Sequence, residues 1–124
     1  MKNSEFEPRT SNLEPGIVLF NSHRFWEALE AWETIWLASS GPHKIFLQGL
    51  IQLAAAYHHV QRGTFRGAIR LFDAAFAKLD PYPLGYAGVD RADVIDVARG
   101  HRMRIAAGER IDAREYAKLT LDGE

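Results

Sequence analysis

Cysteine is absent from the 124 residues. Its absence removes disulfides, thiolate metal sites and thiol nucleophiles together. Long apolar runs are missing as well. None reaches the roughly 20 residues that a membrane-spanning helix needs, and the opening MKNSEFEPRTSN lacks the apolar stretch of a secretion signal. The expected setting is therefore cytoplasmic, with no membrane partner. Net charge is scarce: 15 Lys and Arg against 16 Asp and Glu leave a formal −1. That balance argues against a basic groove, so no nucleic acid is expected as a partner. Strand signals are lacking too. No Asn-Gly or Asp-Gly sits between apolar runs, and without strands a glycine-rich phosphate loop has nothing to follow. No G-x-S-x-G marks a nucleophile.

What is present is helical periodicity, most densely from Phe20 to Trp36, FNSHRFWEALEAWETIW. This stretch holds all three tryptophans, Trp26, Trp32 and Trp36, with Glu27, Glu30 and Glu33. Phe25, Leu29, Trp32 and Trp36 repeat at i, i+4, i+7 and i+11, the spacing of one helix face. The three glutamates recede from that face stepwise, Glu33 nearest and Glu27 most nearly in water. The helix is expected over about Arg24 to Ala38, ended by Ser39-Ser40-Gly41-Pro42.

From Ile45 to Tyr57 only Gln48 and Gln52 are polar. A helix apolar nearly all round is a central one, expected over His43 to Arg62. Gly49 beside Gln48 offers a place for a neighbouring helix to come close. Gly63 ends this helix and Thr64 can cap the next, Phe65 to Leu79, which keeps Phe65, Ala68, Ile69, Phe72, Ala75, Phe76 and Leu79 on one face. After Asp80-Pro81-Tyr82-Pro83 a turn-rich loop leads to Asp90, read as an N-cap, and a helix over about Arg91 to Ala107 with Val94, Ile95, Val97 and Ala98 inward. A short leading helix, Ile17 to Ser22, starts after Glu14-Pro15. The expected organisation is a loose arm over 1–13, a helical domain over 14–107 and a polar segment over 108–124. The fold class is all-α, an antiparallel bundle of four main helices built from hairpins, since short links make neighbours antiparallel.

Three segments, FNxxRFWEAxExxExxW, LQGLIQLAAAYHH and GTFRGAxRLFDAA, together resemble a small bacterial and archaeal family, domain of unknown function 309, over about Phe20 to Leu79. The resemblance implies packed helical hairpins and no particular reaction. One departure stands out. Where the family reads E-A-H-E-x-x-E, this chain has Glu27-Ala28-Leu29-Glu30-Ala31-Trp32-Glu33, so Leu29 replaces a histidine.

The candidate ligand-binding residues are Glu30, Glu33, Trp36, Gln48, Gln52 and His59. Paired carboxylates at i, i+3 on a helix flank suit acid–base or metal chemistry. The plainer alternative is a solvated flank with one half-buried acid. The Glu-x-x-His signature of carboxylate-bundle metal sites occurs nowhere. Adjacent His58 and His59 diverge by about 100° on a helix and cannot easily share one metal. No metal or cofactor is therefore expected, and no catalytic residue is assigned. Across an antiparallel pair, Glu33 should fall nearest Gln48 and Glu30 nearest Gln52, in a hydrogen-bonded cluster under Trp36. Three functions remain open: a non-enzymatic module binding a protein or small molecule, an enzyme using Glu30 or Glu33, and a structural homo-oligomer, such as a homodimer, with Trp26 at its interface.

Overall fold

The computed structural model describes residues 10–121, with side chains placed from Leu13 onward. Five helices follow one another: α1 Thr10–Asn21, α2 Phe25–Leu37, α3 Gly41–Arg62, α4 Phe65–Leu79 and α5 Ala92–Ala106. Each packs chiefly on the next, and the fold is an all-α bundle. The β structure among the described residues is one antiparallel pair of two-residue strands, β1 Val89–Asp90 with β2 Thr120–Leu121.

The breaks after α2, α3 and α4 fall where expected, while the caps expected at Thr64 and Asp90 do not form. Gly63 closes α3 in the left-handed conformation, φ 76°, which glycine adopts without a Cβ penalty. Thr64 stands at the N-cap of α4, yet its hydroxyl donates back to the His59 carbonyl instead of capping. Asp90 is not the N-cap of α5. Its backbone pairs with Thr120, which holds it outside the helix and leaves Arg91 at that position. Val97 is also displaced from expectation: it is 41% exposed, because α5 turns Val94, Ile95, Ala98 and His101 inward instead.

The leading helix is longer than its proline suggests. Pro15 lies inside α1, where its missing N–H costs a helical hydrogen bond. Tertiary packing offsets that cost. Leu13 is fully buried, and its carbonyl accepts from Trp32 Nε1 at 3.1 Å. Residues 10–13 therefore belong to the helix and not to a loose arm, while residues 1–9 lie outside the described residues. Gly16 explains how the indole gets so close: a Cβ there would stand 2.2 Å from Trp32 Nε1.

Tyr57 on α3 is the centre of the core. Its ring meets Phe20 of α1, Phe25 of α2, Phe72 of α4, His101 of α5 and Tyr116 of the C-terminal segment at centroid distances of 5.0 to 5.9 Å. Its hydroxyl and His101 Nδ1 are 2.7 Å apart. Burial holds the His101 imidazole below its ordinary range, with Arg104 adding to the effect and Glu115 opposing it. The unfolded chain then binds the proton at a pH where the folded one does not. His101 therefore contributes stability that is present above the ordinary histidine range, about 6.5, and lost as the pH falls below it. Melting temperature measured from pH 8 downward should drop through this window, and His101→Gln should flatten the slope. An unchanged slope in the variant would assign the acid sensitivity elsewhere.

Arg91 is the other buried polar or charged residue among those described, 1% exposed. Its guanidinium donates to the carbonyls of Leu79, Tyr82 and Pro83 at 2.7 to 2.9 Å. These oxygens belong to the C-terminal end of α4 and the turn after it, where a helix leaves carbonyls unpaired and carries partial negative charge. The cation thus serves as a cap reaching back from the start of α5.

The segment after α5 is polar in composition but docks firmly. Tyr116, Ala117 and Leu119 are buried. Asn21 at the end of α1 reads the Leu119 backbone in both directions, its Nδ2 donating to Leu119 O and its Oδ1 accepting from Leu119 N, each at 2.8 Å. The residues from 108 to 121 are consequently part of the core's cover, with a single tight turn at Ala113–Glu115.

Two glycines separate close approach from open space. A Cβ on Gly49 would lie 2.8 Å from Leu79 Cγ and Cδ2, so the missing side chain lets α4 seat against α3. A Cβ on Gly100, inside α5, would meet nothing within 4 Å. Gly49→Ala should therefore destabilise by about 1–3 kcal/mol through overpacking, while Gly100→Ala should stabilise by about 0.5–1 kcal/mol through helix propensity. Urea denaturation of the two variants checks both signs.

Candidate functional site

The two ends of the α2–α3 seam fix its register. Trp26 packs against His58, ring centroids 5.2 Å apart, and Lys44 Nζ sits 4.2 Å from the centroid of Trp36. The helices are therefore antiparallel. Glu30 falls at the level of Gln52 and Glu33 near the level of Gly49 and Gln48, so that Glu33 is nearer the Trp36 end.

Level is not contact. Glu30 and Glu33 are both exposed, and their carboxylates form no cluster with the amides across the seam. Gln48 and Gln52 are half-buried, and Gln52 Oε1 has no hydrogen-bond partner among the described residues. Trp36 is half-buried under Lys44, and its Nε1 also lacks a partner among the described residues. His59 turns to the other side of α3: its Nδ1 meets Thr64 Oγ1 at 2.6 Å, and its ring lies against Gly67 of α4. The expected hydrogen-bonded cluster is thus corrected to a row of residues along an open seam. The cause is that none of the described elements covers the outer side of α2. A carboxylate left in water keeps its hydration, whereas burial without donors would cost several kcal/mol. Leu29, in place of the histidine, is buried in the core and fills its place with apolar volume.

The seam's outer side carries exposed apolar groups at both ends. Trp26 is 52% exposed at one end. At the other, Leu37 is 72% and Ile45 is 49% exposed. Burial, helped by Arg62 and His59, holds His58 below its ordinary range, so at neutral pH it faces Trp26 uncharged. Between the ends α2 presents Glu27, Glu30 and Glu33 with no base from Phe25 to Leu37. Only Glu27 is paired among the described residues, with Arg24. The Trp26–His58 and Lys44–Trp36 pairs escape a reading by periodicity alone. The short 38–40 link signals only the antiparallel sense, because the paired positions lie unequally far from it.

Among the described residues no group of three or more His, Asp or Glu is arranged to hold a metal ion. No described helix is long and apolar enough to cross a membrane. A separate shallow cavity of about 250 Å³ lies between α1 and the C-terminal segment, lined by Glu14, Ile17, Val18, Asn21 and residues 119–121. None of the candidate residues reaches it.

Comparison with known proteins adds family and fold. Residues 13–71, from α1 into the first half of α4, match the family described as Domain of unknown function (DUF309). A solved structure, a conserved hypothetical protein from Thermus thermophilus, is similar at 31% identity and a TM-score of 0.65; the match covers 73% of this chain and 94% of that one. No curated protein matches. The three-segment pattern, the match over residues 13–71 and the likeness in fold agree, and the chain belongs to the domain of unknown function 309 family.

Proposed function

We propose that the chain is a non-enzymatic interaction module whose working surface is the outer side of α2 with the adjoining stripe of α3. The observation that carries this reading is the exposure of Trp26 beside His58, in line with Glu30 and Glu33, which have no ion-pair partner among the described residues, and closed at the far end by Leu37 and Ile45. An exposed tryptophan flanked by polar groups has the composition of an interface anchor. Gln52 Oε1, buried and without a partner, adds an acceptor at the floor of the seam. Acid–base work by Glu30 or Glu33 has less support, since both residues are exposed to water.

Site-specific photo-crosslinking in the native cell tests the reading. A photoreactive phenylalanine analogue replaces Trp26 or Leu37, with the exposed Arg114 of the Ala113–Glu115 turn as control. A discrete adduct at 26 and 37, absent at 114 and lost in Glu30→Lys/Glu33→Lys, is the expected result. No adduct, or the same adducts at all three positions, would remove the interaction surface.

A further inference from the structure

We propose that the occupant of this face is a second copy of the chain, joined across a two-fold axis that runs along α3, so that α2 of each protomer lies on α4 of its partner. The inference rests on the interaction reading above and names its partner. Charge carries it. The exposed side of α2 is acidic, with Glu30 and Glu33 unpaired among the described residues. The outer side of α4 is basic: Arg66 and Arg70 are exposed, Lys78 is half-buried, and none has an acidic partner among the described residues. The one acid of α4, Asp73, is already paired with Arg102 of α5. Within one protomer α3 separates the two edges by two helix spacings, roughly 16–20 Å, beyond the screening length of about 8 Å at physiological salt. The edges therefore cannot neutralise each other at home.

Register makes the match specific. Trp26–His58 and Trp36–Lys44 level α2 with α3, and His59–Gly67 and Gly49–Leu79 level α3 with α4. Following both, Glu33 stands level with Lys78, and Glu27 and Glu30 bracket the levels of Arg70 and Ala74. A two-fold axis parallel to α3 preserves level while exchanging sides. It sets Glu33 against the partner's Lys78 and the Glu27–Glu30 turn against the partner's Arg70, each contact made twice. Ile45, on α3 beside the axis, then meets its own copy. An axis perpendicular to α3 would instead lay acid on acid and base on base.

Sedimentation equilibrium of the full chain, at low salt and at about 0.5 M salt, where charges beyond a few ångströms are screened, gives the test. The wild type should form a dimer that weakens in salt. Glu30→Lys/Glu33→Lys should weaken it at least tenfold, and so should Arg70→Glu/Lys78→Glu, each variant keeping its helical circular dichroism. Mixed in equal amounts, the two variants should recover a dimer, because each then offers the other a complementary edge. A wild type that stays monomeric at high concentration overturns the inference, as does a dimer indifferent to both reversals or a mixture that fails to associate. In the crosslinking experiment, an adduct of twice the chain's mass supports the second copy. An adduct with a different protein overturns the second copy and leaves the interaction surface standing. Absence of any adduct removes both.

Discussion

Tyr57→Ala should remove about 3–5 kcal/mol of stability, the range for truncating a buried aromatic. That is a large share of the roughly 5–15 kcal/mol that holds a typical domain together. The expectation follows from what the ring touches. Helices α1, α2, α4 and α5 and the C-terminal segment each place an aromatic or imidazole ring against it, so the cavity opens where no single element can move in to fill it. Tyr57→Phe separates the ring from its hydroxyl. It keeps the packing but leaves His101 Nδ1 without its partner at 2.7 Å, and should cost about 1–2 kcal/mol. Chemical denaturation of both variants gives the comparison. If the two cost the same, the hydrogen bond would outweigh the packing, contrary to the geometry.

Arg91→Ala should cost about 2–4 kcal/mol, because three carbonyls lose their donor while staying under the turn that follows α4. Arg91→Met is the sharper variant. It restores most of the buried stem but none of the donors, so a loss that persists in Met belongs to the hydrogen bonds. Lysine should not rescue. Its single ammonium cannot reach three acceptors spread over Leu79, Tyr82 and Pro83 as a planar fork does. Hydrogen exchange offers a local readout, with faster exchange at the end of α4 and in the loop after it. Unaltered stability in Arg91→Met would mean that water replaces the guanidinium at no cost.

Much of this architecture is written in local periodicity. Helices α2, α3 and α4 fall within two residues of the spans that their apolar spacing implies, because each buries a continuous stripe and ends at a glycine, proline or serine break. The antiparallel pairing of α2 with α3 is equally legible, since so short a link permits little else. Two regions resist. Pro15 disguises the start of α1, whose extension depends on a carbonyl accepting from an indole 19 residues away. Residues 116–119 carry no helical or strand period, and their burial is decided by what the Phe25–Tyr57 corner leaves uncovered. The candidate residues show the same division. Periodicity puts Glu30 and Glu33 on a flank and at the right level, but whether a flank is roofed is a tertiary matter. Here it is open, so the acids face water and the amides do not meet them.

The Asn21 clasp has a consequence for how this molecule comes apart. Chain ends are ordinarily where a domain frays first, independently at each terminus. Here the side chain at the end of α1 is bonded to a backbone 98 positions later, and Lys118 adds a bond to the Asn21 carbonyl. Neither terminal element can loosen without uncovering the other. Among the described residues, the end of the first helix and the strand after Leu119 thus open together or remain closed together.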